Sequence, residues 1–292
     1  MLKKMWLNVT QMRKFVNKGK IVRIISNLYS VLTDTGIIEA RARGKFRKDE
    51  ISPMVGDEVK IDIEKKYILE ILPRKNYLTI PNIFNIDLVI CVTSTKEQAL
   101  SLNLLDKQLA FLALHDIPSM ICFTKCDLLS KEEHEEIAKL KNYYQSIGID
   151  VVFNNEIEKM KTMLKGKEVG LLGQSGAGKS SLVNRLGGYD IKTQAISKAL
   201  GRGVHTTRHV EIYPVSDFYL LDTPGFSALD LNFTSPSELK NGFIEFSKYE
   251  CRFKDCKHYK EIDCAVKENV GKTILASRYE NYINFLEKDP WK

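Results

Sequence analysis

The chain has 292 residues, 43% hydrophobic and 28% charged, the balance of an ordinary globular protein with room for two or three modest domains. No apolar run approaches the roughly 18–20 residues of a membrane span, and Lys3 and Lys4 lack the apolar block of a secretory signal. The expected location is therefore cytoplasmic, with no membrane partner. The net charge of +7 is uneven: Lys3, Lys4, Arg13, Lys14, Lys18, Lys20 and Arg23 all precede Asp34, the first acidic residue. A solvated basic terminus and an attraction to nucleic-acid phosphates both fit that run.

In chain order, Lys20–Ile25, Leu28–Asp34, Ile37–Ala42, Glu58–Glu64 and Ile68–Ile71 read as short strands, with turn signals at Asn27, Thr35–Gly36, Gly44 and Pro53–Gly56. Five strands in so short a stretch predict a small barrel. The OB-fold is the common oligonucleotide-binding version, and a barrel of purely structural role fits the same pattern.

From about residue 81 strands alternate with helices. Asp87–Thr93, Ser119–Phe123, Asp150–Phe153, Lys167–Leu172, Val210–Tyr213 and Phe218–Leu221 are the predicted strands. Leu102–Leu114, Lys131–Ile147 and a segment starting at Ser180 have helical spacing. This alternation specifies an α/β sheet covered on both faces. The remainder is polar and helical, with apolar spacing over Ile274–Leu286.

The strongest motif is Gly173-Gln174-Ser175-Gly176-Ala177-Gly178-Lys179-Ser180-Ser181, which follows an apolar strand and opens a helix. Its glycines let backbone N–H groups turn in around phosphate oxygens, and the helix N-terminus favours negative charge. Lys179 would reach the β- and γ-phosphates, and the Ser180 hydroxyl would be a Mg²⁺ ligand. Asp222-Thr-Pro-Gly225 ends the Phe218–Leu221 strand. Asp222 would hold Mg²⁺ through water, and the Gly225 amide would sense the γ-phosphate. Earlier in the chain stands Thr124-Lys125-Cys126-Asp127. Asp127 would accept from the guanine N1–H and amine, Lys125 would lay its stem over the base, and Thr124 occupies the place where such loops usually carry Asn.

Between these lies Gly201-Arg-Gly-Val-His205-Thr206-Thr207-Arg208, where a threonine, Thr207 first and Thr206 second, would complete Mg²⁺ coordination around GTP. Phe226 stands where many GTPases have a glutamine that orients the attacking water, so slow intrinsic hydrolysis is expected. His205 is the candidate replacement for that contact.

Cys91, Cys122 and Cys126 fall in or beside apolar strands and read as buried thiols. Cys251, Cys256, His258 and Cys264 form a closed set of three thiolates and one imidazole, suited to one structural Zn²⁺ rather than a catalytic one.

The base-reading loop precedes the phosphate loop, the reverse of the ordinary order, so the GTPase domain reads as circularly permuted. Together the phosphate loop, Gly201–Arg208, Asp222–Phe226 and the cysteine–histidine spacing resemble the RsgA (YjeQ) family of small-subunit-assembly GTPases over nearly the whole chain. The resemblance implies an OB-fold RNA-binding domain over residues 1–78, a circularly permuted α/β P-loop GTPase domain over 79–230 and a helical zinc-binding domain over 231–292. It further implies a monomer that converts GTP to GDP, stimulated by the small (30S) ribosomal subunit, binds 16S rRNA, and uses His205 to position water, with Lys179 and Thr207 beside it in catalysis. Two departures stand out: Thr124, and Asn154–Asn155 where a Ser-Ala element would flank the base. The alternative reading is an RNA-binding assembly factor in which nucleotide is mainly regulatory; an ATP-using enzyme suits Lys125 and Asp127 less well.

Overall fold

The computed structural model describes residues 16–44, 46, 51–79, 82–96, 100–187, 211–222 and 235–288. It opens with β1 (Val16–Ile25), β2 (Leu28–Thr33), β3 (Gly36–Ala42), β4 (Glu58–Asp62) and β5 (Tyr67–Ile71). Alternation sends Tyr29 and Val31 inward from β2 and Val59 and Ile61 inward from β4. β1 pairs antiparallel with both β2 and β4, and β3 pairs in parallel with β5, so the strands close in the ring 1-2-3-5-4. A register shift between Ile21 and Arg23 bends β1 so that it can serve two neighbours. Gly19 sits at the crossing, where a Cβ would lie 2.5 Å from Val31 Cγ1 and 2.8 Å from the Leu32 carbonyl oxygen. The expected barrel is present, closed and without a free edge.

A hairpin follows that the sequence pattern did not reveal, β6 (Tyr77–Thr79) and β7 (Asn82–Phe84). Three-residue strands are too short for a period of two to be read. The hairpin is held to the barrel by buried Asp57, which accepts from Arg74 Nε at 2.7 Å, Arg74 Nη2 at 2.8 Å and the Met54 amide at 2.8 Å. The same guanidinium lies over the Phe84 ring, 3.7 Å from its centroid.

The central sheet contains β8 (Leu88–Ser94), β9 (Ser119–Thr124), β10 (Asp150–Phe153), β11 (Glu168–Leu172), β12 (Glu211–Val215) and β13 (Phe218–Asp222). Its order is β10-β9-β8-β11-β13-β12, parallel except for β12. Continuous apolar runs such as Leu88–Val92 fit strands buried on both faces. Helices α1 (Leu102–Leu114) and α2 (Lys131–Ser146) cover the face of Val89 and Cys91. Helices α3 (Ile157–Leu164) and α4 (Lys179–Gly187) cover the face of Leu88, Ile90 and Val92. α2 starts at a capping box in which the Ser130 hydroxyl accepts the Glu133 amide and Glu133 accepts the Ser130 amide. α3 was not anticipated; its two turns give only Ile157, Met160 and Leu164 as a stripe.

The last described part carries α5 (Pro236–Gly242), α6 (Ala265–Glu268) and α7 (Ala276–Lys288). Leu239, Phe243, Phe246 and Tyr282 share one core with Leu105 and Leu109 of α1. At the other side the barrel joins the sheet, because Arg23 of β1 pairs antiparallel with Glu211 of β12 and Lys20 forms an ion pair with Glu168 of β11. Among the described residues no helix is long and apolar enough to cross a membrane.

Candidate functional site

The parallel strands bring their carboxyl ends to one edge of the sheet, the place where such sheets bind ligands. β8 ends at Ser94, β9 at Thr124, β11 at Leu172 and β13 at Asp222, so loops remote in sequence leave from neighbouring strands.

The Gly173–Ser180 loop follows Leu172 and turns directly into α4. Gly173 has φ 145°, and a Cβ there would lie 2.3 Å from the Val92 carbonyl oxygen of the neighbouring strand. Gly176 and Gly178 also hold positive φ, at 78° and 96°. Lys179, the first residue of α4, is half-buried and donates from Nζ to the carbonyls of Gly173 at 2.6 Å and Gln174 at 2.8 Å. Its ammonium is thus arched over the loop, and burial lowers its pKa. Gln174, Ser175, Gly176, Ser180 and Ser181 are exposed, while Ala177 is buried and anchors the turn. The arrangement presents backbone N–H groups, a lysine and a serine hydroxyl at a helix N-terminus, a donor set for polyphosphate.

Thr124 to Asp127 lies beside that loop. Thr124 is buried, and its hydroxyl donates to the Ala177 carbonyl oxygen at 2.7 Å. Its own carbonyl accepts from Thr95 twice, from the amide at 3.1 Å and the hydroxyl at 2.9 Å. Lys125 takes a left-handed conformation with φ 59°, which opens the short 3₁₀ turn Cys126–Leu128 and leaves Asp127 exposed. The Asn154 amide donates to the Phe123 carbonyl at 2.9 Å, and Arg185 of α4 donates to the Asn154 carbonyl at 2.9 Å. Thr95, Asn154 and Arg185 therefore brace the loops; Thr95 and Arg185 belong to no recognisable motif, while Asn154 stands where a Ser-Ala element would flank the base. The sequence signal shared by Thr95 and Asn154 is that both directly follow parallel strands.

The structure brings together Thr124, Lys125, Asp127 and the whole Gly173–Ser181 loop. The backbone of Asp222 closes β13 on the same edge. His205, Thr206, Thr207, Gly225 and Phe226 lie outside the described residues.

The cysteine–histidine set converges near the C-terminal helices. The four ligand atoms of Cys251, Cys256, His258 and Cys264 all lie within 4.8 Å of one another. Cys251 Sγ is 3.8 Å from Cys264 Sγ, and each is 3.4 Å from His258 Nδ1. A tetrahedral zinc with ordinary bond lengths requires edges of about 3.8 Å between sulfurs and about 3.5 Å between sulfur and nitrogen. The donor set and the spacing both fit Zn²⁺. Burial, reinforced by Lys240, lowers the His258 pKa and keeps its imidazole neutral, the form that coordinates a metal. His258 has φ 55°, a conformation held by Tyr279, whose hydroxyl donates to the His258 carbonyl at 2.7 Å. Lys240 Nζ donates to the Cys256 carbonyl at 2.9 Å. The thiols of Cys91 and Cys122, outside this set, are buried in the sheet and pushed up to about 12, which keeps them protonated and inert.

Residues 71–232 match the sequence model of the family described as RsgA GTPase, and residues 18–67 match that of the RsgA N-terminal domain. A "Small ribosomal subunit biogenesis GTPase RsgA 1" from Listeria monocytogenes is 43% identical over 281 residues, 93% of this chain and 97% of that protein. The protein called small ribosomal subunit biogenesis GTPase RsgA from Caldanaerobacter subterraneus is 44% identical over 93% of this chain and 95% of its own length. Among solved structures, YjeQ from Thermotoga maritima superposes with a TM-score of 0.82 at 32% identity, covering 95% of this chain and 99% of that one. YloQ, described as a circularly permuted GTPase, gives 0.78 at 34% identity, with 94% of each chain covered.

Proposed function

The chain belongs to the RsgA GTPase family, and from that premise we propose that it hydrolyses GTP in late maturation of the small ribosomal subunit, stimulated by the 30S particle and bound to its 16S rRNA. The observation that carries the site assignment is the Thr124–Ala177 hydrogen bond, which couples a guanine-suited turn to a phosphate-suited loop. The exposed Asp127 carboxylate pairs with the guanine N1–H and amine, while Lys125 covers the base. The N–H groups of the Gly173–Ser180 loop and Lys179 hold the phosphates. As charge builds on the leaving β-phosphate oxygens, Lys179 stabilises it at little reorganisation cost.

Ser180 is exposed at the helix start, and Asp222 ends a strand on the same edge; with Thr207 they are the residues to hold Mg²⁺. That ion neutralises phosphate charge when bound. Phe226 cannot orient water, so His205 takes that role, and turnover is slow in the absence of the particle.

The zinc-suited region and the barrel flank the GTPase unit, with divisions near residues 78 and 230. Exposed Phe253 on the cysteine-rich loop supplies a stacking face for RNA bases, and Arg252, Lys254 and Lys260 supply charge. Zn²⁺ there is structural. The working form is a cytoplasmic monomer. The deciding measurement is GTP turnover with and without purified small subunits, with ATP as competitor and with His205→Ala. A large stimulation lost in the variant supports the reading; equal rates with and without subunits overturn it.

A further inference from the structure

Helix α1 has two buried faces that meet different parts of the molecule. On one face Leu104 and Gln108, with Gly173, Gln174 and Ala177, line a crevice of about 20 Å³, room for about one water. The helix starts beside it, where the Ser101 hydroxyl accepts the Leu104 amide at 3.3 Å. On the opposite face Asp106 is fully buried and accepts from Arg278 Nη1 at 2.6 Å, Tyr144 Oη at 2.7 Å and Asn281 Nδ2 at 2.7 Å. Arg278, also fully buried, reaches on to Glu245 through Nε and Nη2. The backbones touch as well: a Cβ on Gly242 of α5 would lie 2.8 Å from the Ala110 carbonyl oxygen.

We propose that α1 is the element through which the zinc-suited C-terminal region positions the glycine loop, with Asp106 as its positioning residue. The physical reason has three parts. A 13-residue helix is a stiff rod about 20 Å long, so its two faces move together. Asp106, Arg278 and Glu245 form one buried ionic group, and shifting any member leaves an unpaired charge in the interior, which fixes the rotation of α1. The crevice on the other side is small enough to hold about one water, so a displacement of α1 changes the space directly beside Gly173, Gln174 and Ala177. The coupling is reciprocal: whatever moves the C-terminal region changes the nucleotide grip, and nucleotide changes the C-terminal region.

The test uses the full-length protein and a fluorescent GDP analogue, at a temperature where circular dichroism shows every variant fully folded. Asp106→Asn keeps the Oδ1 acceptor but turns an N–H₂ group toward the N–H₂ of Asn281. It should weaken GDP binding by about threefold to thirtyfold while the bound metal content stays that of wild type. Gly242→Ala, which wedges α5 away from α1 without touching the charges, should act in the same direction. It decides the matter if Asp106→Asn does not fold. Tyr249→Phe removes a 2.6 Å bond to Thr273 that lies wholly within the C-terminal region, and should leave the affinity unchanged. Wild-type affinity in folded Asp106→Asn and Gly242→Ala would overturn the proposal. So would an equal loss in Tyr249→Phe, which marks general destabilisation.

Discussion

The Thr124 hydroxyl and the Ala177 carbonyl oxygen meet at 2.7 Å across a separation of 53 residues. This bond gives the unusual Thr124 a role, because the hydroxyl joins the loop proposed to read the base to the loop proposed to hold the phosphates. Thr124→Val keeps the shape and removes the donor, leaving a buried carbonyl unpaired at a cost of about 1–3 kcal/mol. Titration with a fluorescent GDP analogue should then show affinity reduced by about fivefold or more, whereas Thr124→Ser should stay close to wild type.

Asp127 should set base selectivity. In Asp127→Asn the side chain no longer accepts two N–H groups from guanine, but its amide can donate to the carbonyl that xanthine carries in place of the amine. The expected result is GTP affinity reduced by about tenfold to a hundredfold, the worth of a charge-assisted bond, with a gain for XTP. Competition binding with the two nucleotides reads the switch; unchanged preference removes Asp127 from the base site.

Cys256→Ser should abolish stoichiometric zinc, measured by metal analysis of the purified protein. Because the ligands join Cys251 to Cys264 across 13 residues of irregular chain, the variant should also be less stable and melt at a lower temperature. Treatment of wild type with a strong chelator should reproduce that change, and added Zn²⁺ should reverse it.

Glu168 at the barrel joint should give a pH signature. It is 2% exposed, and burial raises its pKa to about 7 despite the ion pair with Lys20, with Asp87 and Glu58 adding in the same direction. A carboxyl whose pKa is raised on folding binds its proton more tightly in the native state. Its contribution to stability is therefore complete below about pH 4.5 and is lost as pH rises toward 7, by at most about 1.4 kcal/mol per pH unit. Denaturant melts of Glu168→Gln should show a flatter dependence across that window; an identical slope in both proteins contradicts the assignment.

Arg278→Met should be among the most destabilising single changes in the chain. It leaves Asp106 and Glu245 buried without their cation, at about 3–5 kcal/mol. Equilibrium denaturation measures this loss directly. The Asp106→Asn, Arg278→Met double variant should recover part of it, since one of the two stranded carboxylates is then neutral.

The local chemistry of this protein was legible in its residues. Alternation over Leu28–Asp34 and Glu58–Glu64 marked barrel strands, and the apolar run before Gly173 announced a buried strand feeding a phosphate-suited loop. The spacing from Cys251 to Cys264 named a ligand set whose atoms do converge. These signals persist because burial of one face and the backbone needs of glycine are short-range properties. Elements of two turns or three residues escaped, as α3 and the Tyr77–Phe84 hairpin did, because a period needs more repeats to stand out.

Tertiary structure decided which buried polar groups found one another. Thr124 chose Ala177, Asp57 chose Arg74, and Asp106 chose Arg278 at a separation of 172 residues. Nothing in the neighbourhood of Asp106 announces that partner. A charge on a helix reads as solvated until the packing of α1 against α5 and α7 removes the water. Sequence thus determined the segments and the chemistry they carry. Only the packed chain, where desolvation forces every buried charge to find its complement, determined how barrel, sheet and zinc-suited region are bound to one another.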